Sequence, residues 1–129
     1  MRTASRFAAA TAACALGFVA LASPAQAHDV RVYGPFACGN PRFSQCGYAQ
    51  VRDSHEIVDA CDTRADGDGY YVRYRVSSGA EGTVSDGNGA AAGCGIRRVG
   101  SASIPVTRIQ GCTRAVLPLR SNCTPWEPA

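Results

Sequence analysis

"YYVRYRV", residues 70–76, decides the fold. Tyr70, Val72, Tyr74 and Val76 fall on one side of an extended chain. Tyr71, Arg73 and Arg75 fall on the other. Aromatic and β-branched residues in strict period-two alternation predict a β-strand with one face in a core. Downstream, Ser77-Ser78-Gly79-Ala80 predicts a turn into a partner strand over 81–85, and Asp86-Gly87-Asn88-Gly89 opens a loop that reaches Cys94.

The same reading extends outward. Residues 29–33 alternate and predict a first strand. The Gly- and Pro-rich stretch 34–46 predicts a loop closed by Cys38 and Cys46. Tyr48–Val51 predicts a short strand, turned by Arg52-Asp53-Ser54 into a longer one over His55–Asp62. Residues 96–99 and 103–110 predict two more. In the second, Ile104 and Val106 share a face while Ile109 is out of phase, which a bulge near Thr107 reconciles. Beyond Cys112 the expectation is irregular chain tied down by Cys123, with Trp126 covering a core edge. No segment after residue 28 has a helical period. Short strands separated by Gly-rich turns predict an all-β fold: a small antiparallel β-sandwich, leaning to the immunoglobulin-like type because that solution is common.

Residues 1–27 read as a secretory signal peptide. Arg2 and Arg6 precede an apolar run over 7–22, Ser23 and Pro24 end it, and Ala25-Gln26-Ala27 supplies a cleavage site. Residues 28–129 are then a single secreted β domain, with no membrane segment after cleavage. The chain has seven Cys, of which Cys14 lies in the leader. The other six, Cys38, Cys46, Cys61, Cys94, Cys112 and Cys123, predict three disulfides in an oxidising compartment, with fifteen pairings open. No CxxC spacing suggests zinc or redox chemistry. All 13 basic residues are Arg, two of them in the leader, against 10 acidic ones. Such a near-neutral chain gives no electrostatic case for nucleic acid or an anionic membrane.

Asp62, Asp66 and Asp68 raise the question of calcium. Aligning Asp66, Asp68 and Gly69 to an EF-hand loop puts Arg64 and Arg75 where carboxylates are required. Asp-Gly pairs tolerate positive φ, so the expectation is a hairpin turn, with Asp62 accepting turn amide hydrogens.

The pattern Cys61-Asp62-Thr63, Asp66-Gly67, an aromatic strand, Gly82-Thr83-Val84, Asp86-Gly87-Asn88-Gly89 and Gly93-Cys94-Gly95 resembles small secreted, disulfide-containing actinobacterial proteins of unknown function. The Lys-free, Ala/Arg/Gly-rich composition agrees. The resemblance spans residues 51–112 and implies export; it carries over no functional residue.

Two motifs suggest chemistry. Cleavage after Ala27 gives His28 a free amine, and with His55 it could chelate copper. Cys112-Thr113-Arg114-Ala115 resembles the reactive loop of Bowman–Birk-like serine protease inhibitors, which implies Arg114 as the primary specificity residue of an inhibitory loop with Thr113 and Ala115. A preorganised loop binds with little ordering cost. No nucleophile elbow is present, and six paired cysteines leave no thiol nucleophile. The leading expectation is therefore a secreted, non-catalytic binding or structural module with no cofactor and an unknown extracellular partner. Protease inhibition and copper binding are the alternatives.

Overall fold

The computed structural model describes residues 28–36, 38, 45–114 and 122–129. The predicted leader lies outside the described residues. The described chain is all-β: β1 (Val30–Tyr33), β2 (Gly47–Arg52), β3 (Ile57–Asp62), β4 (Tyr70–Val76), β5 (Glu81–Ser85), β6 (Gly95–Arg98), β7 (Val106–Thr113), β8 (Asn122–Cys123) and β9 (Glu127–Pro128). The first sheet has the order β1-β2-β3-β6 and the second β5-β4-β7-β8, with β9 also on β7. Every pairing among these nine strands is antiparallel. The expected sandwich architecture holds. Its strand order differs from that of an immunoglobulin domain, because the first three strands stay together in one sheet.

Alternation builds the core. Ala49 and Val51 of β2 and Val58 and Ala60 of β3 are fully buried. Tyr70, Val72 and Val76 of β4 and Val106 and Ile109 of β7 meet them from the other sheet. Each such aliphatic side chain contributes about 1.5–3 kcal/mol by leaving water. The out-of-phase Ile109 is explained as expected. Arg75 pairs with Arg108 but Val76 pairs with Val106, so Thr107 is the extra residue of a bulge. Its hydroxyl donates to the Arg75 carbonyl at 3.1 Å. Both Val106 and Ile109 thereby face inward.

The disulfides join consecutive cysteines: Cys38–Cys46, Cys61–Cys94 and Cys112–Cys123. The first closes the loop before β2. The second ties β3 to the start of β6. The third is a cross-strand bridge, since Cys112 and Cys123 are register partners.

Four expectations are corrected. The Asp66–Gly69 turn is not in a hairpin: β3 and β4 belong to different sheets, so residues 63–69 cross between layers. β3 begins at Ile57 rather than His55, because Asp53, Ser54 and His55 all have positive φ, from 56° to 65°. The chain after Cys112 is partly ordered into strands that add to β7. Trp126 does not cap the core but lies on the outer face of the second sheet, its ring centre 5.3 Å from the Arg73 guanidinium.

Candidate functional site

His28 and His55 come together. Their ring centroids are 5.6 Å apart at 80°, and His55 Nε2 is 3.2 Å from the His28 carbonyl oxygen. The left-handed turn that carries His55 is held from several sides. Arg98 bonds both Asp53, at 2.8 Å, and Glu56. The Val106 amide donates to the His55 carbonyl at 2.8 Å. Left-handed backbone costs about 1–2 kcal/mol per non-Gly residue, so such a turn persists only where its surroundings enforce it.

The aspartates also converge. Asp62 Oδ1 accepts from the Arg64 amide at 2.8 Å, as expected of a turn acceptor. Asp66 Oδ1 accepts from the Asp68 amide at 3.0 Å. Asp86 Oδ2 accepts from the Asp62 amide at 2.8 Å. Burial pushes the Asp62 carboxyl above its ordinary range; the Arg64 amide opposes this, and the charges of Asp66, Asp86 and Asp68 add to it. Asp66, Asp68 and Cys38 have potential ligand atoms within 4.8 Å of one another, but the Cys38 sulfur is spent in its disulfide. The carboxylates of Asp62, Asp66 and Asp86 thus each accept a backbone amide, and the neighbouring charges disfavour ionised Asp62.

Two of the three inhibitory-loop residues, Thr113 and Arg114, are described. Thr113 is buried at the end of β7. Arg114 is exposed but folds back onto the second sheet: its guanidinium lies 5.7 Å from the Tyr71 ring centre and donates to Ser85 Oγ at 3.1 Å. Its amide donates to the Gly69 carbonyl at 3.2 Å. Ala115 lies outside the described residues.

Arg114 there joins a constellation that sequence reasoning missed. On the outer face of the second sheet, β4 contributes Tyr71, Arg73 and Arg75, and β7 contributes Arg108 and Gln110. Thr83 and Ser85 of β5 pair with Arg73 and Tyr71. Trp126 lies under the guanidiniums of both Arg73 and Arg75. Arg73 donates to Gln110 Oε1 at 3.3 Å. Glu81 is the one carboxylate salt-bridged to these arginines among the described residues: it takes Arg75 and Arg73 together. The hydrogen bond from Arg75 holds its carboxyl below the usual range. The alternation of residues 70–76 already put Arg73 and Arg75 beside Tyr71. Only the β4–β7 pairing brings Arg108 and Arg114 to them.

Where the edge strands β5 and β6 meet, Thr83, Val84, Ser85, Gly95, Ile96 and Arg97 line a cleft of about 370 Å³. None of these residues is a carboxylate, His or thiol that could transfer a proton or attack a substrate. No family model, curated protein or solved structure matches this chain.

Proposed function

We propose that the protein is an exported, disulfide-stapled module that binds a partner and does not catalyse a reaction. The observation that supports this reading is the pairing of all six non-leader cysteines within one small sandwich, an arrangement that persists in oxidising compartments. The resemblance to small secreted actinobacterial proteins agrees with it. Intact-mass analysis of culture medium tests the export and the stapling on which the reading rests. The expected species begins at His28 and takes up no alkylating reagent until it is reduced. Retention inside the cell, or alkylation without reductant, refutes it.

A second reading is copper binding by His28 and His55. The juxtaposed rings favour it, because an ion bonded to one nitrogen of each ring at about 2 Å is compatible with their 5.6 Å centroid spacing. Cleavage after Ala27 would add the His28 amine, and nitrogen ligands suit Cu(II). Titration should then show one Cu(II) per chain for protein starting at His28. A one-residue N-terminal extension or His55→Ala should abolish it. Equal affinity in all three forms would exclude a site built on these groups.

A further inference from the structure

We propose that the outer face of the second sheet is a docking strip for an acidic polysaccharide, with Arg73, Arg75, Arg108 and Arg114 binding its carboxylate or sulfate groups. The charge balance carries the inference. Four guanidiniums share this face with a single salt-bridged carboxylate among the described residues, Glu81, in a chain whose basic and acidic residues are nearly balanced overall. Arg75 and Arg108 are register partners. Like charges directly opposite each other weaken a sheet, so folding alone does not account for the arrangement. Both Arg108 and Arg114 are exposed, and neither is salt-bridged among the described residues.

The geometry selects the ligand class. Arg114 reaches back over Tyr71, which pairs with Cys112, so its charge lies about four strand positions from Arg108, about 13 Å. That span suits a chain bearing several anions rather than one small ion. The guanidiniums are preorganised: Trp126 lies beneath Arg73 and Arg75, and Tyr71 beneath Arg114. Planar guanidinium forks pair with oxyanions bidentately. Those same ring faces are therefore covered by cations, which denies them to the base stacking that single-stranded nucleic acid uses. Thr83, Ser85 and Gln110 stand between the arginines and offer hydroxyl and amide groups to sugar hydroxyls. None of the residues named on the strip is an aliphatic side chain that could wedge into a lipid surface.

The choice of a polysaccharide rests on the proposed export, and the two fail separately: the mass analysis tests export, and the following titration tests the strip. The purified disulfide-bonded protein is titrated with alginate as a polyuronate, heparin as a sulfated glycan, neutral dextran, an oligothymidylate and anionic phospholipid vesicles. We expect binding to alginate or heparin, none to dextran, and affinity that falls steeply with added salt as counterions are released. Which of the two binds tighter identifies carboxylate or sulfate as the anion. Arg108→Gln/Arg114→Gln leaves the Trp126–Arg73–Arg75–Glu81 cluster intact and should weaken binding at least about tenfold while the chain stays folded, with relief of the Arg75–Arg108 opposition offsetting the lost Ser85 and Tyr71 contacts of Arg114. Arg31→Gln, on the first sheet, should not weaken it. Glu81→Gln removes the opposing charge and should tighten binding while loosening the local fold, two effects that a purely structural role does not combine. Failure to bind either polyanion at low salt, equal loss in Arg31→Gln, or tighter binding to oligothymidylate or vesicles would overturn the proposal.

Discussion

The phenol end of Tyr70 lies against Gly111. A Cβ built on Gly111 would overlap the phenol oxygen. That oxygen donates to the Gly34 carbonyl at 2.6 Å. One edge of the ring meets Gly47, where a Cβ would stand 2.7 Å from it. The largest fully buried side chain among the described residues is therefore slotted between two glycines of opposite sheets. Its phenol, deeply buried, is pushed well above the ordinary tyrosine range and stays a hydrogen-bond donor.

Gly111→Ala should consequently destabilise the protein by about 2–3 kcal/mol through overpacking. Tyr70→Phe should cost about 1–2 kcal/mol, because it strands the buried Gly34 carbonyl. Urea unfolding of the singles and the double tests the contact. Phe lacks the oxygen that the added methyl group would strike, so the double should be less destabilised than the sum of the singles. Strict additivity would contradict the slot.

The disulfides should differ in worth with loop length. Cys61–Cys94 spans 33 positions, Cys112–Cys123 11 and Cys38–Cys46 8. On the chain-entropy account, replacing Cys61 and Cys94 by Ala should cost about 4 kcal/mol, against about 2.5–3 for either of the others. Denaturant midpoints of the three double-Ala variants give the order directly.

Asp62 and Glu81 should shape the acid limb of stability in opposite senses. The native state raises the Asp62 value above 3.8, so the folded chain holds that proton more tightly than the unfolded one. Ionised Asp62 then weakens the fold at neutral pH, and the loss is recovered as pH falls through its raised value. Asp62→Asn keeps an acceptor for the Arg64 amide and should stabilise at pH 7, with the gain gone below the ordinary aspartate value. Glu81 is held below 4.5 by Arg75. Its contribution is complete above 4.5 and disappears as pH falls through the lowered folded value. Melting temperatures of Asp62→Asn and Glu81→Gln against wild type across this range separate the two.

Ser54 sits exposed in the middle of the left-handed turn, at φ 58°. Ser54→Gly removes the steric cost at that residue and adds unfolded-state entropy. The balance should be a gain of about 0.5–1 kcal/mol in thermal or urea unfolding. A loss would show that the serine side chain is what holds the turn.

Strands β4 and β5 were legible in the sequence to the residue, because alternation and the Ser77–Ala80 turn are local properties of the chain. The bulge at Thr107 was legible for the same reason: a phase error between Val106 and Ile109 has few remedies within one strand. What the tertiary structure alone decided is non-local. Residues 63–69 look like any Asp-Gly turn, and which sheet receives β4 depends on where the buried faces of β2 and β3 find a partner. The three consecutive positive-φ residues that delay β3 depend on Arg98 and Val106, both far away in the chain. The approach of His28 to His55 follows from that turn. The arginine face needs β4 and β7 side by side with Trp126 returned over them. Local periodicity specifies which side of a strand a residue occupies, and long-range pairing chooses its neighbours there. A chain nearly neutral in composition thereby gathers four arginines on one face.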